Sequence, residues 1–155
     1  MRLRLLIPAL LVGALLAASA PAATRGVGAG LLLGEPTGLT VKLWVDQDEA
    51  WVLGLGGSYL RDPALQAQAD YVLHIFEIGR AVGLPQMPAY TGLGVRVNGP
   101  EDGRLNAGLR LPAGLACFFD NNQVELFAEL VPVLNLVPNL RADINFGIGI
   151  RYYGW

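Results

Sequence analysis

Large apolar residues alternate with small or polar residues along much of this chain, with a period of two. The pattern is clearest in residues 143–152, where the apolar positions are Ile144, Phe146, Ile148, Ile150 and Tyr152. Small or polar residues occupy the positions between them. Successive side chains of a β-strand point to opposite faces of the sheet, so this stretch predicts a strand with one apolar and one polar face.

The same alternation predicts eight strands, joined by segments rich in turn residues. They cover residues 26–34, 39–45, 50–59, 66–76, 89–97, a segment from 104 that Pro112 interrupts, 123–130 and 143–155. Because proline cannot donate a hydrogen bond to a sheet, Pro112 predicts a bulge or a bend. The longest connection, 77–88, has room for a short helical turn. Pro132 and Pro138 are expected to bound the loop before the last strand.

The N-terminal residues have the composition of a secretory signal peptide. Arg2 and Arg4 precede an apolar run, and small residues follow that run. Because the run is short for a membrane-spanning helix of about 20 residues, we expect residues 1–22 to be a cleaved signal peptide. A retained membrane anchor is the alternative. Residues 23–155 then form one domain.

Composition narrows the function of the mature chain. Without Arg2 and Arg4, nine of the 11 basic residues remain against 13 acidic residues, a net charge of −4. Nucleic-acid binding requires clustered Lys and Arg, so we expect no nucleic-acid partner. The single cysteine, Cys117, excludes an internal disulfide, and no His, Cys or Asp cluster has metal-ligand spacing. We expect no metal and no other cofactor.

The apolar face of the predicted strands carries almost no charge. A water-facing surface would need such charges, so the alternation favours lipid on the outside. A closed β-barrel is the structure other than a helix that spans a bilayer. The sequence therefore predicts an all-β fold, an eight-stranded antiparallel up-and-down transmembrane β-barrel. The alternative is a soluble periplasmic, lipocalin-like binding barrel with apolar residues inside.

The polar faces predict the contents of the interior, since side chains fill a barrel of eight strands. The inward charged residues are Lys42, Arg96, Arg110, Glu125, Glu129 and Arg151. Inward glycines leave room for them at positions 28, 30, 54, 56, 92, 94, 108, 147 and 149. An isolated buried charge is very costly, so these residues must pair. We expect Glu125 and Glu129 to pair with Arg110 and Arg151 on the neighbouring strands.

Aromatic residues near strand ends predict girdles at the membrane interfaces. They are Trp51, Tyr59, Tyr71, Tyr90, Tyr152 and Trp155. Cys117 belongs to the apolar face, which favours a packed or lipid-facing thiol.

The only candidates for a catalytic pair are Ser58 and His74, the one serine and the one histidine of the mature chain. Outer-membrane lipid A deacylases are small barrels that use Ser, His and an acid. Such a triad would have to lie on the lipid-facing side, where the acyl chain arrives. Both residues fall on the inward face, so we expect His74 to be a hydrogen-bonding residue of the interior.

The last strand resembles the C-terminal signal by which the barrel assembly machinery recognises outer-membrane proteins. Asn145, Gly147, Ile150 and Tyr152 match its order of polar, x, Gly, x, x, hydrophobic, x, hydrophobic. Three residues follow Tyr152, so the signal alternatively ends on Trp155. The resemblance implies the barrel assembly machinery as a partner, with periplasmic chaperones during transit.

Nearly all of the mature chain is similar to a family of small, poorly characterised bacterial outer-membrane barrels of OmpA-like or OmpX-like architecture. The similarity lies in residues 34–42, 69–74, 109–116, 125–132 and 149–153. It implies an outer-membrane location and the barrel fold, and no agreed activity.

We therefore expect a monomeric integral outer-membrane protein, in contact with outer-membrane lipid, that has a structural or surface-interaction role and no catalysis. A narrow pore for ions or small solutes is one alternative, although eight strands leave little room. Surface adhesion is another. With both termini in the periplasm, however, the outward connections 35–38, 60–65, 98–103 and 133–141 are short for a binding platform. A lipid-modifying enzyme is the last alternative.

Overall fold

The structure, a computed structural model, describes residues 26–59, 64–101 and 104–154. Its elements are β1 (Val27–Gly34), β2 (Thr37–Trp44), β3 (Glu49–Ser58), β4 (Ala64–Ile75), α1 (Phe76–Ala81), β5 (Ala89–Glu101), β6 (Arg104–Arg110), β7 (Ala113–Phe119), β8 (Val124–Val137) and β9 (Arg141–Tyr153). The predicted signal peptide, 1–22, and Trp155 lie outside the described residues. No helix in the described ranges is both long enough and apolar enough to cross a membrane.

The strands form one antiparallel sheet that closes on itself. From β1 to β6, consecutive strands pair with each other, β8 pairs with β9, and β9 pairs with β1. The short strands β6 and β7 both pair with β5 and with β8, so together they occupy one place in the ring. The result is a ring of eight strands, which confirms the predicted all-β class, strand number and antiparallel order.

The break between β6 and β7 falls at Leu111 and Pro112, as the proline predicted. The neighbouring backbone bonds bridge the break: Gly92 N–H donates to the Pro112 carbonyl at 2.9 Å and Leu111 N–H to the Pro132 carbonyl at 3.0 Å. Pro132 lies opposite the same break, because the flanking pairs are Arg110 with Val133 and Ala113 with Leu130. The two prolines thus share one irregularity; register shifts also occur between Asn98 and Glu101 on β5 and between Ala107 and Gly108 on β6.

Two of the predicted loops are wrong, because the strands before them are longer than expected. β8 continues through Pro132 to Val137, so the loop expected at 133–141 shrinks to 138–140. Pro132 is tolerated because its missing N–H faces the break in the neighbouring strand. β5 also continues to Glu101, with a register shift between Asn98 and Glu101, so residues 98–101 of the expected loop 98–103 belong to a strand. The helical turn in the long connection is present as α1.

The two ends of the ring carry different connections. One end, the termini end, holds the start of β1, the end of β9 and connections 45–48, 76–88 and 120–123. The other, the distal end, holds connections 35–36 and 138–140, together with the end of β3, the start of β4, the end of β5 and the start of β6. The longest connection therefore lies on the side of the termini.

Alternate residues of every described strand face the interior and the outside, as predicted. The described residues include 33 exposed large apolar side chains, against 12 buried apolar ones. Buried polar or charged side chains number 15, from Thr40 on β2 to Arg151 on β9. The distribution is therefore the reverse of a soluble protein's, in which apolar side chains dominate the interior.

Candidate functional site: the polar interior

The termini end of the interior holds a cluster centred on Glu125. Its carboxylate accepts from Lys42 Nζ at 2.7 Å and from Arg151 Nη1 at 3.2 Å, and the Tyr153 hydroxyl also donates to it. Thr40 Oγ1 accepts from Arg151 Nε and Nη2 at 3.1 and 3.0 Å. Lys42, Glu125 and Arg151 are almost completely buried. One carboxylate thus holds two buried cations, each with further contacts.

Lys42 also fixes the protonation of His74. Lys42 Nζ lies 2.8 Å from His74 Nε2, and an ammonium can only donate, so Nε2 must accept. The ring proton then sits on Nδ1, which donates to the Asp48 carbonyl at 3.1 Å. The imidazole is therefore neutral in this arrangement and joins β2, β4 and the connection after β2.

A second cluster lies halfway along the interior. Arg110 Nε donates to both carboxylate oxygens of Asp70, at 2.8 and 3.2 Å, and Arg110 Nη2 lies 3.9 Å from Glu129. The Tyr90 hydroxyl donates to Glu129 at 2.9 Å. The contact between Arg110 and Asp70 reaches from β6 to β4, past the intervening β5.

A third cluster lies toward the distal end. Arg96 Nη2 donates to Asn135 at 2.8 Å and contacts Asp143 at 3.4 Å. The Asp143 carboxylate also accepts from Asn135 Nδ2 at 2.6 Å and from Arg141 at 3.1 Å. Arg141 is half exposed, so water reaches one side of this cluster.

All six charged residues predicted for the interior lie there, divided among these three clusters. The two expected cross-strand pairs, Glu125 with Arg151 and Glu129 with Arg110, are present. Sequence reasoning missed several partners. They are Asp70, Asn135, Asp143 and Tyr153. Each falls on the inward parity of its strand, which was the available signal.

Tyr90 corrects one prediction. It was assigned to an interfacial girdle, but it is 5% exposed and lies in the interior. Tyr90 lies an even number of residues from Arg96 on β5, so both side chains face the interior. The alternation along the strand therefore predicted the direction of Tyr90 better than its closeness to the strand end. Trp51, Tyr59, Tyr71 and Tyr152 do face outward, and the rings of Trp51 and Tyr71 pack edge to face with centroids 5.0 Å apart.

The predicted glycines leave room for large interior side chains. A Cβ at Gly28 would clash with the Tyr153 ring, one at Gly94 with the Asp70 carboxylate, and one at Gly149 with the Phe127 ring. Phe127 in turn stacks under Arg151, whose guanidinium carbon lies 3.7 Å from the ring centroid. The space beside these glycines is therefore occupied by aromatic and acidic side chains as well as by the expected cations.

Aromatic rings form a layer across the termini end. The layer consists of Trp44, His74, Phe76, Tyr90, Phe118 and Tyr153, in contacts with centroids 4.5 to 6.5 Å apart. Lys42 Nζ lies above it, 4.5 Å from the Trp44 ring centroid and 5.6 Å from that of Phe118. Such contacts stabilise a buried ammonium.

The distal end contains polar atoms that no protein group satisfies. Among the described side chains, Gln66 Oε1, Arg96 Nε, Asn98 Oδ1, Asn106 Oδ1 and Asn145 Nδ2 are buried without a hydrogen-bond partner. The residues Gln66, Asn98 and Asn106 are consecutive register partners on β4, β5 and β6. Buried polar groups of this kind are normally satisfied by water.

The chain has no counterpart in three comparisons. No family model, no curated protein and no solved structure matches it. Its chemistry must therefore be argued from its own residues.

Ser58 and His74 lie too far apart to act together. Ser58 pairs with Ala64, and His74 lies ten positions further along β4. At about 3.3 Å per residue, the two side chains are roughly 33 Å apart along the strand. No group of three or more His, Cys, Asp or Glu side chains in the described residues could hold a metal ion. The interior therefore offers packing and ion pairing.

The residues of the resembled assembly signal lie on β9, the strand that closes the ring against β1. Asn145 and Gly147 face inward, whereas Ile150 and Tyr152 face outward. Leu31 of β1 is the register partner of Ile150. Tyr153, which follows the signal, is an interior residue bonded to Glu125.

Proposed function

We propose that this protein is a monomeric integral β-barrel of the bacterial outer membrane, with a packed interior and a structural or surface-interaction role. The observation that carries the proposal is the inverted burial of the ring, apolar outside and charged inside. Among the strand residues whose side chains are described, the outer face carries charge only at Glu49, at the start of β3.

The cost of exposing this outer face to water supports lipid as its surroundings. Fully burying a large apolar side chain is worth about 1.5–3 kcal/mol, so a half-exposed one forfeits roughly 1 kcal/mol. Of the 33 exposed residues, 26 lie on the strands, and for these the total is on the order of 25 kcal/mol. A folded domain has only about 5–15 kcal/mol of net stability. A bilayer removes this cost, because the side chains then face acyl chains.

The height of the apolar band also suits a bilayer. On β4 the outer face is uncharged from Leu65 to Ile75, eleven residues that span ten steps along the strand. This length is about 33 Å along the strand. A tilt of about 40° reduces it to about 25 Å, which is the height of the apolar band in outer-membrane barrels.

The order of events in the cell follows from the same proposal. The N-terminal segment would direct export, and periplasmic chaperones would hold the chain in transit. The barrel assembly machinery would then recognise β9 through Asn145, Gly147, Ile150 and Tyr152. β9 suits this role because it must pair with β1 to close the ring.

The alternatives are weaker on specific grounds. A lipocalin-like barrel needs an apolar interior, and four buried cations with their carboxylates occupy this one. A pore is opposed by the aromatic layer at the termini end. Adhesion is opposed by the short distal connections, of which 35–36 and 138–140 have only two and three residues. Lipid modification lacks a catalytic pair, since Ser58 and His74 lie far apart.

Two measurements test the proposal. Cells are fractionated, and the purified mature protein is folded into detergent and run on a gel with and without heating. We expect recovery in the outer membrane and slower or faster migration of the unheated form. Recovery as a soluble periplasmic monomer, with no heat-dependent shift, would overturn the proposal.

A further inference from the structure

The connection 76–88 is a fixed projection from the termini end of the ring. Its own backbone bonds close it, with Leu84 N–H donating to the Gly79 carbonyl at 2.7 Å and Met87 N–H to the Leu84 carbonyl at 2.9 Å. Two further bonds anchor it to β7, among them Phe118 N–H to the Gln86 carbonyl at 3.0 Å. The shape of this connection is therefore set by the protein.

The helix α1 at the start of this connection has three different faces. Phe76 and Gly79 face the ring, Phe76 packing on the aromatic layer. Glu77 and Arg80 form an exposed ion pair at 3.8 Å. Ile78 and Val82, four residues apart and therefore on one side, are 46% and 66% exposed. Together they give the projection a small exposed apolar face.

The position of this face indicates what covers it. Ile75, the last residue of β4, faces outward at the edge of the apolar band, and only two residues separate it from Ile78 along the chain. The exposed side chains of Ile78 and Val82 therefore lie close along the chain to the edge of the band. Leu84, also half exposed, adds to the same connection. The charged pair lies on a different side of the helix, where headgroups or water would meet it.

We propose that Ile78 and Val82 insert into the acyl-chain region of the leaflet on the termini side, so that α1 is a membrane-contacting foot of the barrel. This inference rests on the proposed membrane location. Interfacial helices of this kind bury their apolar face at the boundary between headgroups and acyl chains. The partner is a lipid surface, and the foot fixes the depth of the ring in the bilayer.

The single cysteine makes a direct test possible. Cys117 faces outward on β7 and serves as the reference position within the band. A fluorophore is attached to Cys117, or to Val82→Cys or Glu77→Cys in a Cys117→Ala background. Each protein is folded into phosphatidylethanolamine and phosphatidylglycerol vesicles, with or without lipid that carries a nitroxide high on its acyl chain. Heat-dependent gel migration checks that every variant has folded.

We expect the nitroxide lipid to quench the labels at position 117 and on Val82→Cys, whereas the label on Glu77→Cys is quenched by aqueous iodide instead. Quenching at position 117 with none on Val82→Cys would overturn the foot and leave the barrel standing. A Val82→Cys label shielded from both quenchers would assign the face to a protein contact and equally overturn it. Absence of lipid quenching at position 117 would mean that the membrane proposal itself fails.

Discussion

The two ends of the interior solve the problem of buried polarity in different ways. At the termini end, the protein itself supplies the partners: Glu125 serves Lys42 and Arg151, and aromatic rings close the space beside them. At the distal end, Gln66 and Asn106 present amide oxygens to no protein donor. In the termini half of the interior, protein side chains satisfy the buried polar groups. In the distal half, several buried polar groups depend on water for their hydrogen bonds.

This difference predicts unequal costs for removing a carboxylate. Glu125→Gln keeps the shape of the side chain but leaves two buried cations without a counter-charge, and we expect it to lower the free energy of unfolding by about 3–5 kcal/mol. Asp143→Asn is the matched change at the distal end. Because Arg141 is half exposed and water is near, we expect a loss of about 1–2 kcal/mol. Urea unfolding from lipid vesicles measures both, and equal losses would abolish the distinction between the ends.

The aromatic layer predicts where the ring is closed to ions. Phe118→Ala removes a buried ring that contacts Trp44 and Tyr153, so we expect a loss of about 3 kcal/mol in stability. The same substitution removes part of the aromatic layer that closes the termini end, and we expect ion conductance in planar bilayers where the unaltered protein has none. Val131→Ala, a truncation of a buried side chain outside the layer, is the control.

Conductance of the unaltered protein would show that the layer does not seal the ring. Conductance in the Val131→Ala control would show instead that any loss of packing opens a path. Either result would place the barrier to ions elsewhere in the interior.

The sequence predicted the strands and the direction of their side chains better than it predicted the contacts between side chains in the interior. A period of two depends only on strand geometry, so the faces of Lys42 and Arg151 could be read from their positions alone. The pairing of Arg110 with Asp70 could not, because it depends on how strands two places apart in the ring approach each other. Pro132 was misjudged for a similar reason: whether a proline ends a strand depends on the neighbouring strand, which here is broken opposite it.

The smallest expected losses of stability come from removing single hydrogen-bonding groups. Comparing one such group at each end tests most directly whether water takes the place of a protein partner. Thr40→Val removes the oxygen that accepts from Arg151 Nε and Nη2, and both donors of this buried guanidinium lose that acceptor. We expect a loss of about 1–3 kcal/mol, the cost of leaving a buried donor unsatisfied.

At the distal end, Asn106→Leu removes an amide oxygen that has no protein partner. Since that oxygen can be satisfied only by water, its removal leaves no protein donor stranded, and we expect a change below about 1 kcal/mol. Urea unfolding of both variants under the same conditions gives the comparison. If Asn106→Leu costs as much as Thr40→Val, the distal amides are held as firmly as the termini-end network. Their unsatisfied oxygens would then reflect water molecules bound as tightly as protein groups.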